Sequence, residues 1–207
     1  MDFDAGAVAR FRRYRKHADA TLGDMRLAEE AARAFCERFF EELEYCTRYA
    51  NEAGFEASTD RSERRVRLKL SAAEGAGAEV VFARLEGAAH ETEEFLLHET
   101  LSRHTLPSGG YSGRVLGWAP PEEEPCQTFS VYRDGSWRTT GLLVERSRGK
   151  TGDPKEVLRG FCLRILGRVV DLCAPTDGVG RVWRTEKYRL SEYGRGAEPP
   201  VETRWLK

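Results

Sequence analysis

The sequence lacks the motifs that mark common catalytic, redox and phosphate-binding sites. Its five cysteines form no C-x-x-C pair, so no thiol redox motif and no paired-cysteine metal site is indicated. No glycine-rich loop stands between a strand and a helix, and no nucleophile elbow surrounds a serine or cysteine. The favoured interpretation therefore names no catalytic residue, no metal ligand and no cofactor.

Long hydrophobic runs and a strong net charge are also absent. No apolar run approaches the roughly 20 residues that span a bilayer, and residues 1–13 lack the order of a secretion signal. The formal net charge is −1, although 32% of the residues are charged. We therefore expect a cytoplasmic protein without membrane contact, in which any attraction to nucleic acid comes from a local patch.

The length of 207 residues suits one domain with a helical extension. We predict a single domain in three parts, namely an N-terminal helical segment (1–55), an α+β core (56–174) and a C-terminal arm (175–207). The arm is interpreted as either a last edge strand or an extended segment whose aromatic side chains rest on a surface.

The best-marked element is a helix over residues 153–174. Asp153 suits the N-cap, Pro154 suits the first turn, and Pro175 follows the end. Between these marks the apolar residues fall at helical spacing and occupy more than one narrow stripe. We therefore expect a buried helix that lies across one face of the sheet.

The first 55 residues follow an alternating three-and-four apolar spacing that resembles a heptad seam. The TLGD stretch at 21–24 indicates a break or kink, and Asp24 suits the N-cap of a second helix. The sequence thus predicts a long N-terminal helical hairpin or kinked helix.

Strands are indicated downstream of this helical segment. Residues 64–71 alternate cleanly, 79–86 form the next strand, and 114–118 are a short candidate. Residues 90–104 fit either a helix, which we favour, or a strand. The overall prediction is an α+β fold with an antiparallel sheet of about four to six strands.

The most specific local signal is a hairpin whose turn contains Asp134 and Gly135. A two-residue turn would place Tyr132 opposite Trp137 and Ser130 opposite Thr139 on the outer face of the sheet. Two interpretations of Tyr132 and Trp137 stay open here, because they form either a binding platform or core under the N-terminal helices.

Two candidate binding surfaces follow from these patterns. The second half of the N-terminal segment carries more apolar side chains than one stripe needs, which indicates contact with a partner protein or a second copy. This candidate protein-binding set is Phe35, Phe40, Tyr45 and Tyr49. Cations on the first helix and on the first strand, beside outward aromatics, would suit RNA, DNA or another partner. This second set is Arg10, Arg12, Arg13, Arg15, Arg65, Arg67, Lys69, Tyr132 and Trp137.

The favoured functional hypotheses rest on these two candidate binding surfaces, because no catalytic motif is present. The favoured hypothesis is a non-catalytic binding protein, an adaptor or accessory subunit of a larger complex that acts through protein contacts. The alternative is an RNA- or DNA-binding protein that uses the arginine-rich helix and the basic and aromatic sheet face. A third hypothesis is a metal-dependent hydrolase in which His90, Glu94 and His98 align on one helical face.

Overall fold

The computed structural model of the chain describes residues 3–72, 77–90 and 110–173. Within these ranges a long helix is followed by seven strands and then by a second helix, so the α+β prediction is confirmed. The elements are α1 (Phe3–Glu52), β1 (Glu56–Arg61), β2 (Arg65–Ser71), β3 (Gly77–His90), β4 (Tyr111–Trp118), β5 (Gln127–Tyr132), β6 (Ser136–Gly141), β7 (Arg146–Lys150) and α2 (Lys155–Cys173).

The seven strands form one curled antiparallel sheet in which each strand pairs with its neighbours in the chain. The sheet therefore has one strand more than the upper end of the predicted range. Both helices pack on one face, called here the inner face, and the opposite face is the outer face. Strand β3 changes register between Arg84 and Ala88, where Gly87 has a φ of 74°. Such an irregularity bends the strand and helps the sheet to curl.

Helix α1 continues through residues 21–24, where the sequence predicted a break. The N-terminal segment is therefore one helix and not a helical hairpin. From Ala28 onward its apolar side chains enter the core. A Cβ on Gly113 of β4 would overlap Ala32 and lie 2.7 Å from the carbonyl oxygen of Ala28, so a glycine is required where α1 crosses the sheet.

An aromatic cluster joins the two helices to the sheet. The ring of Phe39 in α1 lies 5.1 Å from the rings of Phe82 in β3 and Phe129 in β5, and 6.2 Å from that of Phe161 in α2. Phe39 is fully buried. Aromatic pairs at these separations add to the free energy gained from burying their area. One side chain thus contacts every layer of the inner core.

Helix α2 lies across the inner face as predicted, and its bounds fall within one or two residues of the expected ones. Seven of the eight side chains predicted for its apolar stripe are buried, whereas the eighth, Leu172, is 45% exposed. The buried ones are Leu158, Phe161, Cys162, Ile165, Leu166, Val169 and Cys173. Arg38 of α1 donates a hydrogen bond of 3.0 Å to the carbonyl oxygen of Asp153. The start of α2 is therefore tied to α1.

The predicted register of the central hairpin is wrong by one residue. Trp137 pairs with Val131 and Ser130 pairs with Arg138. The N–H of Gly135 donates to the carbonyl oxygen of Tyr132 at 2.9 Å, and Gly135 has a φ of 74°. The turn thus has three residues and ends in a left-handed glycine, which shifts every β6 side chain to the opposite face.

Other strand predictions are confirmed or extended by the structure. Strand β2 matches its prediction, β3 extends the predicted 79–86, and β4 includes the short candidate at 114–118. Strands β1 and β7 were not predicted, because neither has the apolar alternation of a half-buried strand. The predictions for residues 91–104 and for the C-terminal arm lie outside the described residues.

Replacing Phe39 by Ala should lower the free energy of unfolding by about 3–5 kcal/mol, because it leaves a cavity among packed aromatic rings. Phe39→Leu fills part of that cavity and should cost less. Urea or guanidinium unfolding measures both, with Phe11→Ala as the control because Phe11 is 69% exposed. If Phe11→Ala and Phe39→Ala lowered the free energy of unfolding equally, Phe39 would not be central to the packing of the core.

Candidate protein-docking surface

The first half of α1 extends away from the core of the sheet and pairs with it through Asp24, which accepts from Arg133 at the β5–β6 turn. No described side chain from residue 6 to residue 27 is buried, and the first buried position is Ala28. At 1.5 Å rise per residue these 22 positions span about 33 Å. This segment, residues 6–27, is called here the docking helix.

The docking helix carries large apolar side chains in solvent. Phe11 is 69% exposed, Tyr14 65% and Leu22 63%, and Val8 is also exposed. With Ala18, these residues recur at spacings of three and four, so they lie along one side of the helix. They form an apolar stripe that has no cover among the described residues.

Positive charge flanks this apolar stripe. Between residues 6 and 22 the only acidic side chain is Asp19, which lies 4.0 Å from Arg15 as an exposed i,i+4 pair. Five cations occupy the same segment, and all of them are exposed. They are Arg10, Arg12, Arg13, Arg15 and Lys16. Four of these residues belong to the predicted basic set, and the structure leaves their side chains accessible.

The predicted protein-binding residues are placed differently. Phe35 and Phe40 are fully buried, and the Phe35 ring lies 5.5 Å from the rings of Phe129 and Trp137. This corrects the expectation that their excess apolar area is available to a partner. Their spacing is the same whether the covering layer is a partner or the protein's own sheet, so the sequence could not distinguish the two.

Tyr45 and Tyr49 lie closer to the surface, but Tyr45 is held inside an intramolecular cluster. The guanidinium carbon of Arg48 lies 3.5 Å from the centre of the Tyr45 ring, and that of Arg159 lies 4.1 Å away. Arg159 also donates to the carboxylate of Glu42 at 2.9 Å, and this hydrogen bond raises the pKa of Arg159. The cluster binds α1 to α2, so its contribution is structural.

The observed register places the two aromatic residues of the predicted binding platform, Tyr132 and Trp137, on opposite faces of the sheet. Trp137 points to the inner face and is buried against Phe35 and Phe161. Tyr132 lies on the outer face, which it shares with the β2 cations Arg65, Arg67 and Lys69, but β2 and β5 are three strand spacings or about 14 Å apart. Arg67 pairs with Glu79 at 3.2 Å. The expected row of cations beside Tyr132 and Trp137 is therefore not formed.

The metal hypothesis gains no site from the structure. His90 is the last residue of strand β3, and its ring lies 5.1 Å from that of Tyr111. Glu94 and His98 lie outside the described residues. Within the described ranges, no three His, Cys, Asp or Glu side chains are grouped so that they could hold a metal ion.

The cysteines are buried as protonated thiols. Desolvation raises the pKa of Cys36 and of Cys126 to about 12, and that of Cys46 to about 11. Burial also raises the pKa of Cys162 and Cys173. A nucleophilic thiol needs the opposite shift and access to solvent. All five cysteines therefore act as small apolar side chains of the core.

No family model, curated protein sequence or solved structure matches this chain. Functional inference therefore rests on the surfaces described above. In the part of the chain that the structure describes, no helix is both long and apolar enough to span a membrane.

The native protein should resist thiol alkylation at pH 8, because the buried thiols remain protonated well above that pH. Iodoacetamide followed by mass spectrometry of the intact protein should detect no rapid labelling before unfolding. After unfolding in guanidinium chloride, all five cysteines should be labelled. Fast labelling of a single cysteine in the folded protein would contradict the burial described here.

Proposed function

We propose that this protein is a non-catalytic binding protein, an adaptor or accessory subunit, that engages another protein through the docking helix. The observation that carries the proposal is the exposed apolar stripe of Phe11, Tyr14 and Leu22 on a helix segment that has no cover among the described residues. Large aromatic side chains of this kind supply most of the binding free energy at protein interfaces.

The chemistry of the docking helix favours an acidic amphipathic helix as the partner. An apolar face on that partner would cover Phe11 and Leu22, and its carboxylates would meet the five flanking cations. Electrostatic complementarity of this kind speeds encounter and suppresses wrong partners. The same charges oppose parallel pairing of two copies, since the docking helices would bring like charges together.

The segment is also prepared for binding by its continuity with the packed half of α1. Most of the stability of a protein helix comes from tertiary packing, and the first turn of an unpacked helix is costly to form. Here the C-terminal half of α1 is held in the core and supplies that first turn. A partner would therefore meet a helix whose ordering cost is already reduced.

The proposal is tested by affinity purification of the full-length protein from its own cells at moderate salt, with and without nuclease treatment. An identified partner is then produced separately and its Kd is measured. Replacing Phe11 by Ser should weaken binding by about 2 kcal/mol, roughly 30-fold. The triple variant Phe11→Ser, Tyr14→Ser and Leu22→Ser should remove detectable binding.

A matched control removes exposed apolar side chains from α2. Val157, Leu163 and Leu172 are each 39–46% exposed, and their replacement by Ser should leave the Kd unchanged. An equal loss of affinity in both triple variants would show that the docking helix is not the binding site. Analytical ultracentrifugation identifies a homo-oligomer if self-association disappears with the stripe variant. Co-purified nucleic acid that nuclease removes, with no protein partner, would overturn the proposal.

A further inference from the structure

A second candidate surface lies at the edge of the sheet that β7 forms. Arg146, Arg148 and Lys150 alternate along β7 and are exposed, while Ser147 and Gly149 between them point to the inner face. The three cations therefore line one side of one strand and span about 13 Å. Sequence reasoning missed this row because β7 has no apolar residue to reveal its alternation.

The neighbouring strand adds another cation and two hydroxyl groups on the same side. Arg138 of β6 lies directly opposite Arg148, Thr140 lies opposite Arg146, and Ser136 lies opposite Lys150. The guanidinium carbon of Arg138 lies 5.1 Å from the centre of the Tyr132 ring. These four cations, Arg138, Arg146, Arg148 and Lys150, are called here the basic strip.

The charge of the basic strip is only partly balanced. Lys150 lies 3.9 Å from the carboxylate of Asp134, whereas Arg146 and Arg148 form no ion pair with any side chain in the described ranges. In the described ranges the charges of Arg146 and Arg148 are thus left without a counterion, and a bound anion would supply one.

We propose that the basic strip binds the phosphate backbone of a single-stranded nucleic acid. A compact anion would contact one or two of these cations, whereas a linear polyanion can contact all of them. Guanidinium forks match phosphate oxygens, and hydroxyl groups donate to the same atoms. A membrane surface fits less well, because the exposed part of the strip offers no apolar side chain to insert.

The contribution of each part of the site follows from this geometry. Arg146, Arg148 and Lys150 supply a linear path for successive phosphates, and Thr140 and Ser136 lie between that path and β5. The contacts involve the backbone of the nucleic acid, so we expect little dependence on base sequence. The basic strip shares no residue with the docking helix, and this inference does not rest on the proposed function.

The test is fluorescence anisotropy of the full-length protein with labelled single-stranded RNA and DNA of mixed sequence, over a range of salt concentrations. The variant Arg146→Thr, Arg148→Thr and Lys150→Thr keeps strand-forming residues on β7. It should bind at least 10-fold more weakly at low salt. Removing three phosphate contacts should also reduce the slope of log K against log salt by about 2.

The matched control removes the same charge from the docking helix, as Arg10→Gln, Arg12→Gln and Arg13→Gln, and should leave the salt slope unchanged. Thermal unfolding establishes that both variants are folded. If the β7 triple variant does not fold, Arg148→Thr alone should reduce the slope by about 0.7.

Three outcomes would overturn the proposal. Absence of binding by the unaltered protein at low salt would mean that the strip only protects the sheet edge from pairing with another strand. Equal losses in the β7 and docking-helix variants would make the attraction a general charge effect. Poly-glutamate that competes as strongly as the oligonucleotide would reassign the strip to acidic protein segments.

Discussion

The packing of Phe39 against Phe82, Phe129 and Phe161 is the contact on which the rest of the structure depends. It joins α1, two strands and α2 at one point of a close-packed interior, where a change in volume cannot be absorbed locally. Gly113 lets α1 approach the sheet closely beside this cluster. Together these contacts fix which part of α1 lies against the inner face of the sheet.

The position of α1 decides which of its residues are exposed. Its apolar residues recur from the docking helix into the core, but the sheet covers them only from Ala28 onward. The uncovered half keeps its helical form because it continues a packed helix, and it keeps its exposed apolar side chains because no described residue covers them. The candidate docking surface is thus a direct result of a helix that is longer than the sheet is wide.

The hairpin between β5 and β6 illustrates how a small local difference changes which side chains lie on the outer face of the sheet. One additional residue in the turn moves Trp137 into the core and Arg138 to the outer face, opposite Arg148. The proposed platform of Tyr132 and Trp137 disappears, and a row of cations on β6 and β7 takes its place. Asp134 supports this turn by accepting hydrogen bonds from the N–H and hydroxyl of Ser136, at 3.0 and 2.6 Å.

By itself the sequence determined the fold class, the extent of α2 and the strands β2 and β3, because long periodic patterns and clear end signals are local properties of the chain. It also identified the cations of the docking helix and the apolar spacing that continues through it. Only the tertiary structure decided that Phe35 and Phe40 face the sheet, that Phe11 and Leu22 face solvent, and that β7 joins the edge beside β6. The physical reason is that periodicity shows which side chains share a face, whereas burial depends on what lies opposite that face.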